Sequence, residues 1–274
     1  MLALAWLCGV WPPPVWWRDH EPRCTAMMRV RDDCPTPGRP DARTARDAQS
    51  SRAPQLLERM IIIAEDSRFR THHGVDFVEL REALAAGGRR GASTITQQLA
   101  KNLYLSPSRS LPRKVKEAVT AWRLELALSK HRIMALYLST AEWGPGIWGA
   151  AAASEAYYGV PPARLTPAQA AALAATLPHP RSSNPAYQPA RMTERRALIL
   201  ARYYGRDVVV PRAQEEEIEI PVIPPITIPR IPPVILDSIR VQTDSSPDTP
   251  RPDTARRTDA TAGLSQEANG TTVF

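Results

Sequence analysis

Residues 91–102 read Gly91-Ala92-Ser93-Thr94-Ile95-Thr96-Gln97-Gln98-Leu99-Ala100-Lys101-Asn102. At about 100° per residue, Thr94, Gln97, Gln98 and Lys101 share one helical face, while Ile95 and Leu99 point the other way. The pattern predicts a helix N-capped by Ser93, with Ile95, Leu99 and Leu103 on its buried side. Two amides, a hydroxyl and an ammonium are left on the opposite side. The helix start after Gly91 adds free backbone N–H groups and a positive dipole end, a natural place for an anion. A solvated polar face is the plainer reading. Two adjacent glutamines one turn before the lone lysine of the region weigh against it.

Helical signals continue on both sides of this stretch. Pro54 opens a helix over Gln55–Ala64, and Phe77, Leu80 and Leu84 form a stripe that stops at Gly87-Gly88. Pro112 suits the first turn of a long helix with an apolar seam of Val115, Val119, Trp122, Leu126, Ile133 and Leu136. Thr166-Pro167-Ala168-Gln169 is a capping box with proline at the first helical position. No stretch in this core alternates as a strand does. The fold class expected is all-α, mainly helical, over residues 54–204.

Composition changes outside that core. Residues 18–53 are polar and rich in Arg and Asp, which predicts a flexible connector. Residues 205–274 combine an acidic run, Glu215–Glu217, with dense proline, which predicts a disordered, dispensable tail. Residues 1–17 are apolar and Trp-rich, but Pro12, Pro13 and Pro14 interrupt them, whereas a spanning helix needs about 20 apolar residues. They read as the end of a membrane anchor whose full helix lies upstream, with Trp6, Trp11, Trp16 and Trp17 as weaker attachments. Cys8, Cys24 and Cys34 have unmatched spacing and read as neither a zinc site nor a disulfide framework. The formal charge of +7 suits anionic partners. No aromatic-interleaved basic stripe points to nucleic acid.

Two further segments carry candidate chemistry. In Glu65-Asp66-Ser67-Arg68-Phe69-Arg70-Thr71-His72-His73-Gly74 an acidic pair follows the apolar run Met60–Ala64. A carboxylate at the end of a buried helix loses hydration, which suits a general base. Adjacent histidines make a poor metal site, so His72 and His73 read as structural. In Arg113-Lys114-Val115-Lys116-Glu117, the glutamate lies nearly opposite the seam of Val115, Val119 and Trp122 and faces either solvent or a cleft.

The segments Glu65-Asp66-x-x-Phe69-x-x-His72-x-Gly74, Gly91-x-Ser93-Thr94-Ile95-Thr96-Gln97-Gln98 and Arg113-Lys114-x-x-Glu117 occur in that order. Lys130-x-x-Ile133-x-x-x-Tyr137-Leu138 follows, then Gly149 with Ala151-Ala152 and Tyr157-Tyr158-Gly159. Together they resemble the family 51 peptidoglycan glycosyltransferases, particularly the monofunctional biosynthetic ones, over about Pro54 to Tyr204.

The resemblance implies a lysozyme-like, two-lobed helical fold. It implies an enzyme that polymerises lipid II into β-1,4-linked glycan strands with inversion, releasing undecaprenyl pyrophosphate. Glu65 matches the base for the acceptor's 4-hydroxyl and Glu117 the carboxylate near the donor's leaving group. Lys101 and Arg109 match the residues that neutralise the donor pyrophosphate. Asp66, Phe69, His72, Ser93, Thr94, Gln97, Gln98, Asn102, Arg113 and Lys130 match the surrounding substrate-binding positions. The implied cofactor is a divalent cation, Mg2+ or Mn2+, held largely through the substrate's pyrophosphate rather than by a metal site of the protein. The implied partners are lipid II, the growing glycan strand, the membrane and other cell-wall synthesis or division proteins. The implied place is the outer, periplasmic face of the cytoplasmic membrane. No Ser-x-x-Lys or Lys-Thr-Gly occurs in this sequence, so no transpeptidase activity is expected from it. Ser139 stands where the family usually has Asn, and Trp143 and Trp148 where Phe-like residues are commoner. Two other readings stay open: a lysozyme-like lytic enzyme, and an inactive glycan- or lipid-binding scaffold.

Overall fold

Thr166 shows how directly the sequence dictates the local structure. Its hydroxyl accepts from Gln169 N, and the Gln169 side chain returns to Thr166 N at 2.9 Å, so the predicted capping box starts a helix with Pro167 in its first turn. The structure, a computed structural model, describes residues 9–35, 55–85, 87, 91–108 and 110–211. Among them run the helices α1 (Ala26–Val30), α2 (Gln55–Glu65), α3 (Phe77–Ala85), α4 (Ile95–Tyr104), α5 (Leu111–Ala127), α6 (Lys130–Thr140), α7 (Ala150–Tyr158), α8 (Pro167–Thr176) and α9 (Ala190–Tyr203). A small antiparallel hairpin, β1 (Glu142–Gly144) and β2 (Ile147–Trp148), turns through Pro145-Gly146. The helical class holds.

The Thr166-capped helix, α8, is buried at every position from Ala170 to Thr176. A helix that is apolar all round belongs in an interior. Its alanines let α2 and α9 lie against it, and those two helices also touch one another. The core continues through α4, which packs on both α5 and α6. Gly74 locks the passage between α2 and α3. It sits at φ +88°, and an added Cβ would lie 2.9 Å from backbone atoms of Ala121 and Trp122 on α5. Its carbonyl accepts the Thr94 hydroxyl at 2.5 Å, so three segments meet there.

Several expectations are corrected. The N-cap of α4 is Thr94, not Ser93: its hydroxyl accepts from Gln97 N at 3.1 Å and Gln97 Oε1 accepts Thr94 N at 3.0 Å. Residues 18–35 are not a loose connector. After a 3-10 turn at Pro14–Arg18, Trp17 is buried and its indole donates to the Tyr104 hydroxyl at 2.5 Å. Arg132 donates to the carbonyls of Trp17 and His20, and Trp148 Nε1 donates to Asp33 at 3.1 Å. Arg31 reaches the partly buried Glu142 at 3.5 Å. Burial pushes the Glu142 carboxyl up in pKa, against the pull of Arg31 and Arg181. A few large anchors, Trp17, Met27 and Met28, therefore hold a segment whose average composition reads as unfolded. Cys24 and Cys34, 5.2 Å apart at Cα, form a disulfide around α1. Spacing alone did not pair them; the turn of α1 brings them together. Residues 1–8 and 36–54, the first part of the expected anchor and the rest of the connector, lie outside the described residues.

The apolar seam of α5 also points the unexpected way. Its buried residues are Glu117, Thr120, Ala121 and Leu124, while Leu111, Val115, Trp122 and Leu126 are exposed. In α3 only Ala83 is buried, and Phe77, Val78, Leu80 and Leu84 face outward. Finally, the chain does not leave the domain at Gly205. Val210 packs on the core, and Arg195 donates to the Pro211 carbonyl. The remainder of the tail, from residue 212, lies outside the described residues.

Candidate active site

Glu65 is the last residue of α2 and is 7 % exposed. A buried carboxylate needs hydrogen-bonding partners, and each of its oxygens has one. Gln98 Nε2, on α4, donates to Oε2 at 2.9 Å. Arg195, on α9, donates to Oε1 at 2.9 Å. Gln98 is itself fixed, because the Tyr137 hydroxyl donates to its Oε1 at 2.7 Å.

Glu117 is 2 % exposed and bracketed by two cations of its own helix. Arg113, one turn earlier, donates to Oε2 at 2.7 Å, and Lys114 pairs with Oε1. Lys114 Nζ also donates to Ser93 Oγ at 2.8 Å. The start of α4 therefore joins both carboxylates. Ser93 reaches Lys114 beside Glu117, and Gln98, just over one turn into the helix, touches Glu65.

Other predicted residues are placed differently. Asp66 is fully buried; both its oxygens lie about 3 Å from His72 Nε2, and Oδ2 also accepts Ile95 N at 3.0 Å. Asp66 and His72 thus pin the end of α2 to the start of α4. Phe69 is a core residue with Lys130 Nζ 4.5 Å above its ring. Lys130 donates to Glu125 at 2.7 Å, and Thr96 donates to the same oxygen at 2.6 Å. The Thr94 hydroxyl serves Gly74 and Gln97, and Gln97 is buried in the cap. These contacts are made within the protein, while His72 Nδ1 is buried without a hydrogen-bond partner. Asn102 is buried and Lys101 half-buried on α4. Arg109 lies outside the described residues.

Two participants escaped the sequence reading. Lys114 had a signal, its i,i+3 spacing to Glu117. Arg195 had none: it lies 130 residues from Glu65, in an ordinary Glu194-Arg195-Arg196 helix surface. Among the described residues no group of three His, Cys, Asp or Glu converges as a metal site. The oxygens of Glu65 and Glu117 all accept from protein N–H donors.

Comparison with known proteins bears on this arrangement. The transglycosylase family profile matches residues 37–204. The chain belongs to the transglycosylase family. It is 43 % identical over 194 residues to the biosynthetic peptidoglycan transglycosylase of Azoarcus sp. (strain BH72), covering 69 % of this chain and 84 % of that protein. It is 39 % identical over 223 residues to the protein of the same name from Thiobacillus denitrificans, covering 77 % and 93 %. The family match begins ahead of Pro54 and runs to Tyr204.

Within this transglycosylase the departures from the usual pattern are structurally quiet. The Ser139 hydroxyl donates back to Leu136 O at 3.0 Å and so stays within its own helix. Gly149, at φ +87°, starts α7 where a Cβ would lie 3.0 Å from the Ser139 carbonyl. Trp143 and Trp148 are both buried, Trp148 against Met27 and Met28 of the N-terminal segment.

Proposed function

We propose that this transglycosylase is a peptidoglycan glycosyltransferase that polymerises lipid II into β-1,4-linked glycan strands. The observation that carries the reading is the pair of buried carboxylates joined through α4, one held by an amide and a guanidinium, the other flanked by Arg113 and Lys114. Glu65 takes the proton of the acceptor sugar's 4-hydroxyl as that oxygen attacks the donor's anomeric carbon. The bond from that carbon to the pyrophosphate oxygen breaks, and its electron pair leaves with undecaprenyl pyrophosphate. Attack opposite the leaving group inverts the anomeric centre. Leaving-group charge requires cations, and Lys101, Arg109 and the Arg113–Lys114 pair beside Glu117 are the residues we assign to it. A divalent cation, Mg2+ or Mn2+, would supply further neutralisation, held mainly through phosphate oxygens.

The test is incubation of the purified chain with lipid II. Long glycan strands are expected; shortening of preformed glycan without polymerisation would instead favour a lytic enzyme. Lys101→Ala adds a sharper measurement. Charge-assisted contacts contribute about 1.5–3 kcal/mol. The substitution should therefore weaken binding of a pyrophosphate-bearing lipid by about 10- to 100-fold as well as slow turnover. Unchanged affinity would remove Lys101 from the donor site.

The same reading places the enzyme at a membrane, on its periplasmic face. Among the described residues no helix is long and apolar enough to cross a bilayer. Support comes instead from the outward apolar side chains of α3 and α5, Phe77 and Leu84 being 75 % and 69 % exposed. Exposed apolar rows of this kind mark interaction surfaces. The disulfide fits an oxidising compartment. Trp17 is buried and takes no part in attachment, whereas Trp11 and Trp16 are exposed. The double substitution Phe77→Asp, Leu84→Asp should lower co-sedimentation with phosphatidylglycerol vesicles at least about tenfold, since each buried side chain contributes about 1.5–3 kcal/mol. Undiminished co-sedimentation would send the membrane contact elsewhere.

A further inference from the structure

We infer that Arg195 is the positioning residue of the base: it fixes Glu65 in the orientation that accepts the acceptor's proton. The inference rests on the reading of Glu65 given above and adds a residue that reading did not contain.

The geometry is specific. The guanidinium of Arg195 is 11 % exposed and lies at the C-terminal end of α2. One nitrogen, Nη2, donates both to Glu65 Oε1 at 2.9 Å and to the Ala64 carbonyl at 2.7 Å. The other, Nη1, donates to the Pro211 carbonyl. The last carbonyls of a helix lack intrahelical partners, and a cation there complements the helix dipole. Arg195 therefore caps α2 from another helix and holds the side chain of its final residue with the same nitrogen. Backbone and carboxylate are fixed relative to one another.

Opposite Arg195, Gln98 Nε2 holds the other oxygen, and Tyr137 orients Gln98. The two arms differ in kind. Gln98 gives a single neutral donor from the wall of the site. Arg195 gives a planar, permanently charged fork that can serve two carbonyls and a carboxylate at once. A lysine would keep the charge but not the three simultaneous directions. With both arms present the carboxylate has one orientation; with Arg195 removed it pivots about the Gln98 contact. A misplacement of about 1 Å in a reacting group costs on the order of 10²-fold in rate.

The experiment is a double-mutant cycle on lipid II polymerisation with purified, folded proteins checked by thermal unfolding. Arg195→Ala should lower kcat by about 10- to 100-fold while KM for lipid II stays within about twofold. In a Glu65→Gln background the same substitution should cost less than about threefold, because there is no base left to position. Added guanidinium ion should recover part of the activity of Arg195→Ala, and Arg195→Lys should fall between wild type and alanine. Wild-type kcat in Arg195→Ala, or an equal loss in both backgrounds, overturns the inference and leaves Arg195 as a cap of α2 alone. Should Arg195→Ala unfold, the Arg195→Lys cycle decides by the same criterion. Near wild-type turnover by Glu65→Gln would sink the reading of Glu65 itself, a result distinct from either.

Discussion

Glu65→Gln is expected to reduce polymerisation by at least about 10²- to 10⁴-fold, the usual contribution of a general base. The substitution keeps the shape of the side chain but exchanges one acceptor oxygen for an NH2 donor, so only one of the contacts from Gln98 and Arg195 is kept as it stands. An amide cannot take a proton, so the acceptor hydroxyl remains a poor nucleophile. The fold should survive, because α2 is held by Leu57, Met60 and Ile61 in the core. Donor binding should change little, because it is assigned to Lys101 and to the cations near Glu117. The measurement is paired: polymerisation rate and affinity for lipid II, on wild type and variant at one pH. A folded Glu65→Gln protein that polymerises at near wild-type rate shows that the base is another group.

Gly74→Ala should have the largest effect on stability. A non-glycine residue at φ +88° is strained, a cost of about 1–2 kcal/mol. The added methyl would also lie 2.9 Å from backbone atoms of Ala121 and Trp122, and backbone yields less readily than a side-chain tip. Overpacking of that kind costs about 1–3 kcal/mol. Together the loss is about 2–5 kcal/mol, which for a domain of this size lowers Tm by about 4–20 °C. Activity should fall even at temperatures where the variant is folded. The Gly74 carbonyl receives Thr94, the cap of α4, and α4 carries Gln98 against Glu65. A Tm within about a degree of wild type would mean that α5 moves aside freely, and that the contact does not set the position of α4.

Particular residues show what the sequence made legible. The capping box at Thr166 and the helical period around Ile95 and Leu99 are local chemistry, and both appear where the spacing put them. The ordered motifs singled out Glu65 and Glu117, and the structure buries both. The apolar seam of α5 was misread because burial was inferred from hydrophobicity. A helix lining a polar site reverses that rule: Glu117 and Thr120 lie inside, and Trp122 and Leu126 outside. The N-terminal segment was misread because composition averages over residues, whereas Trp17 and Met28 each bury a large side chain. Arg195 was illegible because its role depends on the approach of α9 to α2, a purely tertiary relation.

The alanines of α8 have a consequence for how the site keeps its dimensions. Ala170, Ala171, Ala172, Ala174 and Ala175 are all buried between helices that include α2, which bears Glu65, and α9, which bears Arg195. An alanine has no χ torsion, so it gives up no side-chain entropy on folding and has no alternative rotamer to adopt afterwards. Backbone geometry therefore sets how closely α8 meets α2 and α9, which also touch one another directly. Leu173 apart, the middle of the spacer cannot relax by turning a bond, and an enlarged residue there has to move a whole helix. The two helices that bring carboxylate and guanidinium into direct contact thus rest on a common support that lacks the torsional softening of a leucine-packed interior on warming.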